Sequence, residues 1–155
     1  MTIVIILTIE FFSLRYLKDK ILYYLMAAQI VKDFNNLLEA LIQQVSPLTG
    51  NSYHFLFKNL IRFNAILPIQ TFNEHVHKWD KQIEERDEAF FLNTDNVKNA
   101  ANEVGHDISD NETILNEIFH LQGVWNSLDR DSKDNLWEML QALKMLGDEY
   151  KQIKG

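Results

Sequence analysis

The sequence predicts an all-α fold, a single-domain bundle of about six helices. Apolar residues recur at spacings of three and four along most of the chain, the period of an amphipathic helix. Glycine and proline number only five and two, too little turn punctuation for a many-stranded β protein. At 155 residues, with 46% hydrophobic and 24% charged residues, the composition is that of one ordinary globular domain. A chain of this length buries about 70% of the surface its unfolded form exposes. It needs no staple, and with no cysteine it has no disulfide, thiolate chemistry or Cys-type zinc site. A cysteine-free chain also fits a reducing compartment.

Residues 1–25 stand apart. Nine residues, mostly apolar, precede Glu10, and Arg15, Lys18, Asp19 and Lys20 close the run. No basic segment comes first, so it makes a poor signal peptide. A spanning helix needs roughly twenty mostly apolar residues, so a membrane span is not expected. Met26-Ala-Ala-Gln29 reads as a natural start, followed at once by a clean amphipathic helix. The segment is therefore read as an extension of doubtful status: a tail, an added helix or a mis-assigned start, with 26–155 as the helical domain. A membrane anchor is the remaining alternative.

From Ala27 to Val45, Ile30, Val31, Phe34, Leu37, Leu38, Leu41, Ile42 and Val45 line one broad face. Ser46-Pro47 and Gly50 are the expected stop. Asn51-Ser52 offers a cap for a second helix striped by Tyr53, Leu56, Phe57, Leu60 and Ile61, with Pro68 marking its end. A third helix is expected along Ile69, Phe72, Val76, Trp79 and Ile83, running into the charged stretch Glu84-Glu85-Arg86-Asp87-Glu88. Ala89-Phe-Phe-Leu92 follows, and two adjacent phenylalanines are expected to pack. Thr94 or Asp95 is read as the cap of a polar helix through Val104, stopped by Gly105. Ser109 and Glu112 have capping-box spacing. The helix they open carries Ile114, Leu115, Ile118, Phe119 and Leu121, with a weakening or kink expected at Gly123. Asp129 or Asp131 starts the last helix, whose face is Leu136, Trp137, Leu140, Leu143, Gly147 and Tyr150.

Net charge is −7, unevenly placed. Residues 1–25 carry three basic and two acidic groups, residues 26–86 six of each, and residues 87–155 six basic and fourteen acidic. An acidic C-terminal half argues against a nucleic-acid groove and fits either a solvated surface or a docking face for a basic partner. No basic patch is interleaved with aromatic residues.

The order Asp87-Glu-Ala-Phe-Phe-Leu92, Ile114-Leu-Asn-Glu-Ile-Phe-His-Leu-Gln-Gly-Val-Trp125 and Leu136-Trp-Glu-Met-Leu-Gln-Ala-Leu143 resembles small α-helical proteins of large DNA viruses of algae and amoebae. The pattern is one of core residues over about 26–151. What it implies is a viral origin and an intracellular setting, host cytoplasm or virion. It carries over no functional residue.

No recognised catalytic or phosphate-binding motif occurs. His75 and His77 lie two apart, and on a helix such positions point about 200° apart and cannot share an ion. His54, His106 and His120 lack partner spacing. Asp129-x-Asp131 and Asp107-x-Ser109-x-Asn111 lack the glycine of a calcium loop and read as helix caps. Glu84, Glu85, Asp87 and Glu88 read as a solvated helix end. No catalytic, cofactor or metal residue is expected, and no cofactor. Trp79, Trp125 and Trp137 are the candidate partner contacts, because tryptophan is favoured at interface centres, against the plainer reading of core packing. The expected function is a non-enzymatic helical interaction or structural protein with an unidentified protein partner. The alternatives are a bundle enzyme or ligand-binding protein with a site assembled from residues such as His75, Trp79 and Asp87, and a membrane-tethered adaptor using residues 1–25.

Overall fold

The computed structural model describes residues 1–49, 53–103 and 112–155. The Asn51-Ser52 cap, Gly50, Val104, Gly105, His106, the Asp107–Asn111 segment and the Ser109–Glu112 capping box lie outside what it describes. Tyr53, Leu56, Ile114, Leu115, Ile118 and Leu121 lie in helices, with their side chains outside the described part. The described residues form an all-α fold without a strand.

Helix α1 spans Thr2–Thr49, 48 residues and about 72 Å at 1.5 Å per residue. Met26 sits inside it with no break, and Pro47 lies in its last turn rather than beyond it. There follow α2 (Tyr53–Phe63), α3 (Leu67–His75), a 3₁₀ turn (His77–Trp79), α4 (Asp80–Glu84), α5 (Glu88–Leu92), α6 (Thr94–Glu103), α7 (Glu112–Ser127) and α8 (Arg130–Lys154). Among the described residues there are thus eight α-helices where six were expected. The single helix expected across Ile69–Ile83 is divided, because the chain tightens to 3₁₀ geometry at His77–Trp79, where the Trp79 amide donates to the Val76 carbonyl at 2.9 Å. The Phe90-Phe91 knot is itself a helical turn, capped by Asp87, whose carboxylate accepts from the Phe90 amide at 3.0 Å. Pro68 stands in the first turn of α3, where a missing N–H costs nothing, rather than ending α2.

Two more boundaries differ from expectation. The cap of α6 is Asn93, whose side-chain oxygen accepts from the amides of Asp95 and Asn96 at 3.0 and 3.1 Å. Helix α7 continues through Gly123 without interruption. Asp129 caps α8 by accepting from the Ser132 amide at 2.7 Å.

The folded body is built on α1 and α8 laid antiparallel. Asn135 donates to Gln44 at 3.1 Å near one end, and the Lys154 ammonium lies 5.8 Å from the Tyr24 ring centroid at the other. Ala27, Ile30, Val31 and Phe34 of α1 meet Leu143 and Tyr150 of α8, with Ile69 of α3 closing the core. Phe34 and Phe72 pack edge to face at 5.3 Å between centroids. Gly147 lets α3 come close to α8, because a Cβ there would lie 2.5 Å from the Asn73 side-chain oxygen. The same Asn73 donates to the Gly147 carbonyl at 3.0 Å. Arg86, with φ of 51°, turns the chain between α4 and α5 and reaches Asp134 and Gln141 of α8 at 3.4 and 3.2 Å.

None of this covers the first half of α1. Every residue from Met1 to Met26 is exposed. The helix leaves the body at Tyr24 and projects as an arm, about 37 Å long for residues 2–26.

Candidate functional site

Two features stand out: an aromatic cavity in the body and the projecting arm. The cavity joins the three tryptophans, which arrive on different elements. Trp79 ends the 3₁₀ turn, Trp125 lies near the end of α7, and Trp137 lies in the second turn of α8. Trp125 and Trp137 meet edge to face at 5.6 Å, Phe91 lies 5.8 Å from Trp137, and Trp79 lies 6.4 Å from Phe91. Val76, Ile83, Leu92 and Leu140 complete the wall of a space of about 310 Å³. Trp137 is 5% exposed, while Trp79 and Trp125 are half-buried.

Among the described residues Glu88 is the one ionisable group in that wall. Its Oε1 accepts from Trp125 Nε1 at 2.7 Å and from Lys133 Nζ at 2.8 Å. The Lys133 ammonium also lies 5.5 Å from the Trp125 ring centroid. The Lys133 hydrogen bond, then that from Trp125, holds the Glu88 carboxyl below its ordinary value of 4.5. The arrangement ties α5, α7 and α8 together with a paired charge and aromatic packing. The cavity takes in Trp79 but neither His75 nor Asp87.

The acidic stretch does not converge. Glu84 pairs with Lys144 at 3.1 Å, Glu85 with Lys81 at 3.9 Å, and Asp87 caps α5. His75 ends α3 beside Glu74 at 3.8 Å, and His77 is exposed in the 3₁₀ turn. Among the described residues no three carboxylate or histidine groups come together to hold a metal ion. Sequence reading missed one cluster. His54 of α2 lies 2.7 Å from Glu39 of α1 and 3.2 Å from Gln43, with Lys58 3.4 Å from the same carboxylate. The His54 hydrogen bond is the largest influence holding Glu39 below its ordinary value. These contacts join separate helices, so no local spacing announces them.

The arm is apolar on both sides. Ile3, Val4, Leu7, Phe11, Leu14, Leu17, Ile21 and Leu25 are each 51–73% exposed. A second stripe, Ile5, Ile9, Phe12, Tyr16 and Tyr23, continues the face that packs the body further along α1. No helix among the described residues is long and apolar enough to cross a membrane. At the arm's root, Tyr24, Ala27, Ala28, Val31, Asn35 and Ile66 line part of an open groove of about 550 Å³.

Fold and surface together define an all-α protein carrying an exposed apolar helix. Comparison with protein-family models, with curated proteins and with solved structures finds no match to this chain.

Proposed function

We propose that the chain is a non-enzymatic helical interaction protein that uses the arm, residues 2–26, as its contact surface. The carrying observation is the unbroken extension of α1 beyond the body, with every arm residue exposed. A helix with large apolar residues on both sides normally buries them, and a contiguous exposed apolar surface marks a contact site. The diverging acids support the non-enzymatic part of the reading, since each serves a cap or an ion pair on a different element. The tryptophans serve the body in this reading, their rings packed on each other across α5, α7 and α8. A viral setting rests on the core residue pattern alone.

Size analysis of extracts from cells that naturally make the protein tests this. The full chain is expected in an assembly well above its own 18.2 kDa, and a chain beginning at Ala27 is expected at monomer size. Elution of both as monomers contradicts the reading.

A further inference from the structure

We infer that the occupant of the arm is a second copy of this chain, paired antiparallel about Leu14 along the stripe Leu7, Leu14 and Ile21. The inference rests on the interaction reading and names its partner. Those three residues are seven apart and share one face of the helix, the repeat of a two-helix seam. In the body, the residues at that angle, such as Ala28 and Lys32, face away from the core, whereas Ile30 and Phe34 face into it. The seam is therefore open along the whole arm.

Charge sets the register. Glu10 and Lys18 are the ionic side chains nearest the seam, each four residues from Leu14. When residue i lies opposite residue 28 − i, Glu10 meets Lys18 of the second copy, twice by symmetry. The same register sets Leu7 against Ile21, Ile3 against Leu25 and Phe11 against Leu17. It is also the register of fullest overlap for residues 2–26. A parallel pair instead sets Glu10 on Glu10 and Lys18 on Lys18, both repulsive. The opposite stripe fares worse in antiparallel pairing, because Asp19 then falls against Ile9 with no cation in reach of that position.

The area suffices. Eight seam and flanking side chains at roughly 100 Å² each give about 800 Å² per copy, the size of a standard stable interface. The register also carries Met1 to Val4 of the second copy to the level of Ala27 to Tyr24, at the mouth of the groove at the arm's root. That groove would then hold residues 1–4 of the second copy.

The chain's lack of cysteine makes a direct test possible. Single-cysteine full-length chains are oxidised mildly and run without reductant. Leu14→Cys is expected to form a disulfide-linked dimer. Leu7→Cys alone is expected not to, since its two copies lie about 21 Å apart, while a mixture of Leu7→Cys and Ile21→Cys links. Glu10→Lys and Lys18→Glu are each expected to weaken dimerisation about tenfold, and the double variant to recover it. The arm makes little contact with the body, so these changes leave the fold intact, which circular dichroism checks. Linking of Leu7→Cys to itself overturns the antiparallel pair. A purified chain of monomer mass overturns self-pairing altogether. If that monomer still enters an arm-dependent assembly in native extract, only the second copy is wrong; if it does not, the interaction reading falls with it. Flotation of the monomer with phosphatidylcholine–phosphatidylserine vesicles assigns the arm to lipid and overturns the proposal.

Discussion

Single residues decide how closely the helices approach, and two glycines show it with opposite signs. At Gly147 a methyl group would meet the Asn73 side chain at 2.5 Å, and that side chain is held by its bond to the Gly147 carbonyl. Gly147→Ala is expected to destabilise the protein by about 1–3 kcal/mol through overpacking. At Gly123, inside α7, nothing lies within 4 Å of an added Cβ. Gly123→Ala is expected to stabilise by about 1 kcal/mol, the difference in helix propensity. Urea unfolding of the two variants measures both. The paired carboxylates set a pH dependence. Glu88 and Glu39 are held below 4.5 by their hydrogen bonds, so the folded state releases those protons more readily than the unfolded chain. Their contribution is complete above that value and is lost as pH falls through the lowered folded-state values. Glu88→Gln is expected to flatten this acid limb, measured as unfolding midpoint against pH.

Among the elements, α8 and the body half of α1 are the frame. Leu143 is 1% exposed at their junction, and Leu143→Ala is expected to cost about 2–5 kcal/mol in urea unfolding. These two helices were also the most legible in sequence. Of the α8 face read from spacing, Leu136, Trp137, Leu143, Gly147 and Tyr150 are buried and Leu140 is half-buried; of the α1 face, Ile30, Val31 and Phe34 are buried and Leu37, Leu38, Leu41, Ile42 and Val45 half-buried. The start of α8 was legible to within two candidates, Asp129 and Asp131, because capping chemistry is local, and Asp129 is the cap. The break at His77 was not, because Val76, Trp79 and Ile83 keep a helical period while the 3₁₀ turn brings Trp79 to Phe91. Nor was the meeting of the tryptophans. Trp125 and Glu88 lie 37 residues apart, and only the packing of α5 on α7 joins them. The arm was visible as an apolar run, but not its continuity with α1, because Met26 resembles a start and the charges from Arg15 to Lys20 resemble a boundary.

For the whole molecule, the division of α1 into a buried half and an exposed half is the defining feature. The body has its own core from Ala27 onward, and the arm adds to it mainly the stacking of Lys154 on Tyr24. Removing residues 1–23 is therefore expected to leave the body's unfolding free energy within about 0.5 kcal/mol of the full chain's. A 25-residue helix with isoleucine, leucine and phenylalanine on both sides is poorly suited to lie bare in water; in the proposed pairing it acquires its stability from the second copy that covers it. Amide hydrogen exchange of the purified full chain across a dilution series tests this most directly. Covered by a second copy, residues 2–26 are protected at high concentration and lose that protection on dilution, while residues 27–49 stay protected throughout. Arm protection that does not change with concentration would contradict the account.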